Sequence, residues 1–159
     1  MLYKIVDIAD MKLSNDEDDI IVTYSLGSCV GLTLYDPVKK LGGMIHCMLP
    51  LSKIDTARAK SSPYMFVDVG VTKFLQEMFA RGARKSSIVA KVAGGASMLD
   101  DSNMFNIGKR NYSLLSKLLD KNQIKISGED VGGTVSRTVF LYVATGETTI
   151  RSNGKSIEL

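Results

Sequence analysis

Short apolar runs, separated by glycine, proline and acidic residues, dominate the pattern of this chain. Several are rich in valine, isoleucine and tyrosine, as is typical of strands, and the run at 20–24 is the clearest example. Pro50 ends another run, because proline has no N–H to give to a strand ladder. The pattern predicts about eight short strands, at 2–8, 20–24, 30–35, 41–48, 87–93, 124–131, 138–143 and 147–151.

Two stretches follow the helical period instead. The first begins at Ser62 and Pro63, a serine cap followed by a proline suited to the first helical position, and ends near Gly82. The second covers 107–122, where leucines recur three to four positions apart. Of the linking segments, 15–19 is predicted to be a solvated acidic turn, 51–62 irregular, 94–96 a tight loop that approaches another segment closely, and 152–159 frayed.

The order of these elements indicates the fold class. The chain starts with strand after strand and no helix between them, which favours a mainly antiparallel or mixed sheet over a doubly wound one. A chain of 159 residues with 45% hydrophobic residues is large enough to bury its own core. We therefore expect one domain over 1–159, of the α/β (α+β) class, with two main helices.

Composition narrows the classes of function. The net charge is +3, and the basic residues are scattered, so a nucleic-acid partner is not expected. No apolar run approaches the roughly 20 residues that a membrane span needs, and the first residues do not resemble a signal peptide. Two cysteines without a CxxC motif favour free thiols in a reducing cytoplasm.

The candidate chemistry centres on Cys29 and His46. His46 is the only histidine, so a histidine base acting on a cysteine nucleophile can only be this residue. The strands at 30–35 and 41–48 form a predicted hairpin that brings the two together. Gly27 and Gly31 flank the cysteine, and the backbone N–H groups of a Gly27-Ser28 turn can converge on one point, as an oxyanion hole requires.

Other interpretations of these residues stay open at this level. A cysteine in a strand-rich domain is often a small core residue, and Cys47, next to His46, is expected to point to the opposite face and be buried. A metal site of both cysteines and the histidine lacks a fourth ligand. A base also needs an orienting partner, and Thr23, Asp36 and Ser25 are alternatives that the spacing does not separate.

Five separated blocks resemble the CheD family of chemotaxis proteins. They are Thr23-Tyr24-Ser25-Leu26-Gly27-Ser28-Cys29-Val30, Gly43-Met44-Ile45-His46-Cys47-Met48-Leu49-Pro50, Lys91-Val92-Ala93-Gly94-Gly95-Ala96, Ile107-Gly108-Lys109-Arg110-Asn111, and Asp130-Val131-Gly132-Gly133 with Arg137 and Thr145-Gly146. One departure is that Val92 and Ala93 stand where an aromatic residue is common before the glycines.

The resemblance implies an α/β sandwich with catalytic Cys29, His46 and Thr23, an active-site loop at Gly27 and Ser28, and no metal or cofactor. It implies hydrolysis of side-chain amides of chemoreceptor glutamines to glutamate, with receptor methylester hydrolysis in some members. The implied partners are the cytoplasmic helices of chemoreceptors and the phosphatase CheC, and we expect a monomer when the protein is alone. A non-catalytic adaptor that stimulates CheC is the alternative function.

Overall fold

Two five-stranded β-sheets pack face to face in the computed structural model, which describes residues 2–98 and 106–159. The strands are β1 (Leu2–Ile5), β2 (Asp10–Ser14), β3 (Asp19–Leu26), β4 (Val30–Asp36), β5 (Leu41–Cys47), β6 (Val89–Gly94), β7 (Ile126–Val131), β8 (Arg137–Tyr142), β9 (Thr148–Ser152) and β10 (Lys155–Glu158). The helices are α1 (Thr56–Ser61), α2 (Val67–Ala80) and α3 (Ile107–Lys121), with 3₁₀ turns at Ser52–Ile54 and Pro63–Met65.

The strand order is β1-β3-β8-β9-β10 in the first sheet and β2-β5-β4-β6-β7 in the second. Two neighbouring pairs, β1–β3 and β6–β7, are parallel, and the other pairs are antiparallel. This mixed arrangement confirms the predicted α+β class. Among the residues that the structure describes, no helix combines the length and the apolar character that crossing a membrane would take.

Strand alternation assigns the side chains of β5 to two different layers. Met44 and His46 point toward the first sheet, and Met44 belongs to the apolar cluster between the sheets. Ile45 and Cys47 point the other way, into the cluster that the second sheet shares with α2 and α3. The helices approach this sheet closely, because a Cβ atom at Gly43 would lie 2.6 Å from the Phe74 ring. Successive residues of β5 therefore pack alternately between the two sheets and against the helices.

Several elements depart from the sequence predictions. The segment predicted to fray contains β10, which pairs with β9 across a turn in which Asn153 and Gly154 both have positive φ. An Asn-Gly pair is a strong local hairpin signal, which the apolar pattern alone does not register. The segment 51–62, predicted to be irregular, contains α1, which Asp55 caps by accepting a hydrogen bond from the Arg58 N–H.

The acidic turn and the first long helix also differ in part from the sequence predictions. Asp19 is buried rather than solvated, and it accepts a hydrogen bond of 2.5 Å from the Ser14 hydroxyl. Ser62 makes no side-chain cap, and Pro63 begins a 3₁₀ turn, so that α2 itself starts at Val67. The Ser14–Asp19 contact is a local polar partnership, which apolar periodicity does not report.

Candidate active site

His46 lies on β5, between the two sheets, and is only 2% exposed. Its Nδ1 atom is 2.7 Å from the hydroxyl oxygen of Thr23, which lies on β3 of the opposite sheet and is fully buried. The same hydroxyl donates a hydrogen bond of 2.7 Å to the carbonyl oxygen of Val6. A threonine side chain thus links the imidazole to the backbone segment that follows β1.

These two contacts determine which nitrogen of His46 carries the proton. A hydroxyl has one hydrogen, and that of Thr23 is donated to the carbonyl of Val6. The hydroxyl oxygen must then accept from the Nδ1–H of His46, which leaves Nε2 without a hydrogen. Nε2 is buried and has no hydrogen-bond partner among the described residues. The arrangement therefore leaves an unshared basic lone pair at Nε2.

Burial also controls the charge of the imidazole. Desolvation lowers the pKa of His46 from 6.5 to about 4, against a smaller opposing effect of the Asp7 carboxylate. The ring is therefore neutral at pH 7. A neutral ring with its proton on Nδ1 can accept a proton at Nε2, which is what a general base requires.

The pairing register places Cys29 on the same sheet face as His46. Gly31 pairs with His46 and Val30 with Cys47, so Cys29, one residue before β4, lies diagonally across from the histidine. Cys29 packs against the apolar cluster between the sheets and is half-buried. A thiol that solvent can reach thus shares one layer with an imidazole that is almost completely enclosed.

Cys47 points to the opposite face, as the alternation predicts, and is fully buried among the helices. Burial, with smaller contributions from Cys29 and Asp68, raises the pKa of its thiol. Because Cys47 and His46 face different layers, the two cysteines and the histidine do not converge on one metal ion. The metal interpretation of these residues is therefore not supported.

Of the three alternative orienting residues, the structure brings only Thr23 to His46. The carboxylate of Asp36, at the other end of β4, accepts hydrogen bonds from the Arg84 N–H and the Ser87 hydroxyl. Ser25 is exposed and has φ +56° within a β-bulge, where the pairing of β3 with β8 shifts register. Bulges re-aim side chains and end pairing, and this one precedes the crossing from the first sheet to the second.

The loop before Cys29 is held by the glycine loop that follows β6. The carbonyl of Gly27 accepts from the Ala96 N–H at 2.9 Å, and that of Cys29 accepts from the Gly95 N–H at 2.8 Å. A Cβ atom at Gly94 would overlap the carbonyl oxygen of Cys29. The predicted close backbone approach at 94–96 is thus confirmed. In a planar trans peptide the N–H points away from the C=O, so the N–H of Ser28 is directed away from the glycine loop.

The glycines that flank Cys29 do not supply the left-handed backbone conformation of this turn. The left-handed residue in this turn is Ser25, and neither Gly27 nor Gly31 has a positive φ. A Cβ atom at Gly31 would lie 2.9 Å from Leu26, and one at Gly27 would lie 3.1 Å from Met98. These glycines make room for neighbouring side chains rather than for a turn.

Two buried polar residues support this loop, and sequence reasoning assigned neither a role. The side chain of Arg137 donates from Nε to Asp130 at 3.1 Å and from a terminal nitrogen to the carbonyl of Gly94 at 3.3 Å. The side-chain amide of Asn111, on α3, donates to the carbonyl of Ser28 at 3.0 Å. Both residues lie in the blocks that resemble the family, which was the one signal present in the sequence.

Together, the fold and this site define an α+β sandwich that places a thiol and an oriented imidazole on one inner sheet face. Comparison with known proteins gives its family. The profile described as CheD chemotactic sensory transduction matches residues 48–152. The chain belongs to the CheD family.

Individual relatives match over nearly the whole chain. A protein of Solibacter usitatus named probable chemoreceptor glutamine deamidase CheD is 48% identical over 155 residues, covering 98% of this chain and 92% of that protein. The probable chemoreceptor glutamine deamidase CheD 1 of Syntrophus aciditrophicus is 46% identical and covers 94% of each chain. The crystal structure of the Bacillus licheniformis hypothetical protein YfiH aligns at 13% identity and a TM-score of 0.47, over 79% of this chain and 50% of that chain.

Proposed function

We propose that this protein is a cysteine-dependent hydrolase that converts specific glutamine side chains of methyl-accepting chemoreceptors to glutamate. The names of its relatives support this substrate. The observation that carries the catalytic part is the hydrogen bond between Thr23 and His46, because it leaves Nε2 as a free base on the face that Cys29 shares. In this proposal Cys29 is the nucleophile, His46 the base and Thr23 the orienting residue.

The reaction follows from these roles. His46 Nε2 takes the proton of the Cys29 thiol as the sulfur attacks the amide carbon of the glutamine side chain. The resulting imidazolium gives its proton to the departing nitrogen, and ammonia leaves a thioester on Cys29. Water, deprotonated by the same imidazole, then cleaves the thioester, which releases glutamate and regenerates the thiol. The proton of the thiol leaves with ammonia, and the proton that His46 takes from water goes to the sulfur as the thioester breaks. Cys29 and His46 therefore end the cycle as they began, and the net consumption of one water needs no cofactor or metal.

We assign to the loop at Gly27 and Ser28 the role of stabilising the oxyanion of the tetrahedral intermediate. The carbonyl of Gly27 is turned toward the glycine loop, which directs the N–H of Ser28 to the opposite side. Backbone N–H groups aimed at the developing oxyanion contribute about 3 kcal/mol each in other acyl-transfer enzymes. The half-buried thiol admits a side chain presented by a protein surface, while the base behind it is screened from bulk water.

The substrate and partners follow from the family. We assign the substrate glutamines to the cytoplasmic helices of chemoreceptors, and therefore place the activity in the cytoplasm. A methylester of the same receptor glutamates presents an acyl carbon in the same position, so ester hydrolysis by Cys29 is included in the proposal. CheC is the proposed protein partner, and the proposed state of the protein alone is a monomer.

Mass spectrometry of a receptor cytoplasmic fragment tests the function. After incubation with the protein, individual glutamine peptides should show the mass increase that replacing an amide NH₂ by OH produces, with release of ammonia. Cys29→Ala and His46→Ala should abolish both signals. Cys47→Ala is the matched control, because it removes the same atom from the other face of the sheet and should keep turnover. Turnover that depends on Cys47 and not on Cys29 would refute the assignment.

The same variants separate catalysis from an adaptor role. A non-catalytic adaptor that stimulates CheC does not need a thiol beside a base. Such a protein would leave receptor peptides unchanged while raising the phosphatase activity of CheC, and it would do so equally well as Cys29→Ala. The catalytic proposal expects receptor modification that the alanine variant loses.

A further inference from the structure

Asn111 is a buried side chain that connects the segment before β4 to the segment after β5. It lies on α3, is fully buried, and donates both hydrogens of its amide. One goes to the carbonyl of Ser28, directly before Cys29, at 3.0 Å. The other goes to the carbonyl of Met48, two residues after His46, at 3.1 Å. A single amide therefore joins the segment that carries the thiol to the segment that carries the imidazole.

The orientation of this amide is determined by its neighbours. Both contacts are with carbonyl oxygens, which can only accept, so the nitrogen of Asn111 must face them. The side-chain oxygen then points elsewhere, is buried, and has no hydrogen-bond partner among the described residues. A buried acceptor without a partner costs about 1–3 kcal/mol. An apolar residue of similar size would avoid that cost, so the two directed donors are the feature that distinguishes asparagine here.

The contact with Ser28 sets the direction of one particular peptide. The neighbouring carbonyls of Gly27 and Cys29 are held by backbone N–H groups of the glycine loop, whereas the carbonyl of Ser28 is held by a side chain. Because the peptide is planar and trans, fixing the C=O of Ser28 also fixes the direction of the N–H of Cys29. An N–H on the nucleophilic residue is well placed to face the oxyanion of the tetrahedral intermediate, which forms on the substrate carbonyl oxygen when the Cys29 sulfur attacks the acyl carbon.

We propose that Asn111 is a positioning residue that orients the N–H of Cys29 as an oxyanion donor. The inference rests on the proposed function in that Cys29 is taken as the nucleophile. Asn111 does not touch the reacting atoms. It acts through the Ser28–Cys29 peptide, and its second contact, to Met48, holds that peptide in register with the strand of His46.

Two reagents that attack the same sulfur separate this role from a general structural one. p-Nitrophenyl acetate acylates a thiolate through a tetrahedral oxyanion, whereas iodoacetamide alkylates it by direct displacement of iodide, with no oxyanion. Both need the Cys29–His46 pair. Asn111→Leu should slow acylation of Cys29 by about 10²–10³-fold, the usual effect of losing one oxyanion donor. The alkylation rate and its pH profile should stay close to those of the unmodified protein.

Asn122→Leu is the matched control. Asn122 also donates its side-chain amide to a carbonyl, that of Leu118, but at the other end of α3. This variant should leave both reactions unchanged. If Asn111→Leu does not fold by circular dichroism, Asn111→Ala removes both N–H donors without adding a larger or charged side chain at this buried site, and is expected to show the same selective loss.

Parallel loss of acylation and alkylation, or no loss of acylation, would overturn the proposal. The receptor assay tests the proposed function independently of the role of Asn111. If the unmodified protein acylates at Cys29 but never converts a receptor glutamine, the proposed function is wrong, and the acylation ratio still decides the role of Asn111.

Discussion

Replacing Thr23 by valine tests whether the Thr23 hydroxyl satisfies both the Nδ1–H of His46 and the carbonyl of Val6. The two side chains have nearly the same shape, but valine can neither accept from the Nδ1–H of His46 nor donate to the carbonyl of Val6. Both of those groups are buried. Each group left without a hydrogen-bond partner would cost about 1–3 kcal/mol of folding free energy. Because an added methyl is more favourable than a hydroxyl in an apolar layer, part of this cost is offset, and the net destabilisation should be about 2–4 kcal/mol.

Thr23→Ser is the matched control. Serine keeps the hydroxyl and loses one buried methyl group, which costs about 1 kcal/mol. Urea unfolding of the three proteins gives the free energies of unfolding. Since the chain has one histidine, ¹⁵N NMR of histidine-labelled protein reports the tautomer of His46 without any need for assignment. We expect the proton on Nδ1 in the unmodified protein and in Thr23→Ser, and a mixture of tautomers in Thr23→Val.

Activity should follow the tautomer. A correctly oriented base contributes about 10²–10⁴-fold to such reactions, so Thr23→Val should lose turnover within that range while Thr23→Ser keeps most of it. A proton found on Nε2 in the unmodified protein would refute the deduced tautomer. A valine variant as stable as the serine variant would refute the claim that Thr23 satisfies two buried groups.

Three further predictions concern charge, thiol reactivity and backbone space. Because burial lowers the pKa of His46 to about 4 while the unfolded chain keeps the ordinary value of 6.5, unfolded protein binds more protons between these values. The free energy of unfolding should therefore fall by about 3 kcal/mol as pH drops from 6.5 to 4, measured as the difference from His46→Asn, which lacks the titration. Iodoacetamide at neutral pH should alkylate Cys29 and spare Cys47, as peptide mass mapping will show, because Cys47 is enclosed and burial raises the pKa of its thiol. Gly94→Ala should destabilise the fold in thermal unfolding far more than Gly154→Ala, because both have positive φ but only at Gly94 would the added Cβ overlap a backbone atom; equal effects would contradict this.

Most strands and the two long helices were predictable because their signals are local, whereas β2 (Asp10–Ser14) was not predicted. Apolar runs bounded by turn residues located β3, β4, β5 and the β8–β9 hairpin, and the leucine period located α3. The opposite orientation of Cys47 followed from strand alternation alone. The hairpin at Asn153 and Gly154 was equally local, and it was missed because the exposed strand that follows carries little apolar character.

Composition and spacing also singled out the chemistry. Because the chain has one histidine and two cysteines, composition leaves one candidate for a histidine base and two for a cysteine nucleophile. The residue that orients the base was different, because Thr23, Asp36 and Ser25 were equally acceptable by spacing. Their separation needs the register of β3 against β8, the bulge after Thr23 and the facing of the two sheets.

By itself, therefore, the sequence determined the candidate nucleophile and base and the strands next to which they lie. The tertiary structure decided which polar groups meet. Thr23 and His46 are 23 positions apart on different sheets, and Asn111 reaches Ser28 and Met48 across 83 and 63 positions. Periodicity reports the face on which a side chain lies, but a hydrogen bond depends on the distance and direction between two atoms, which only the packing of the sheets and α3 sets.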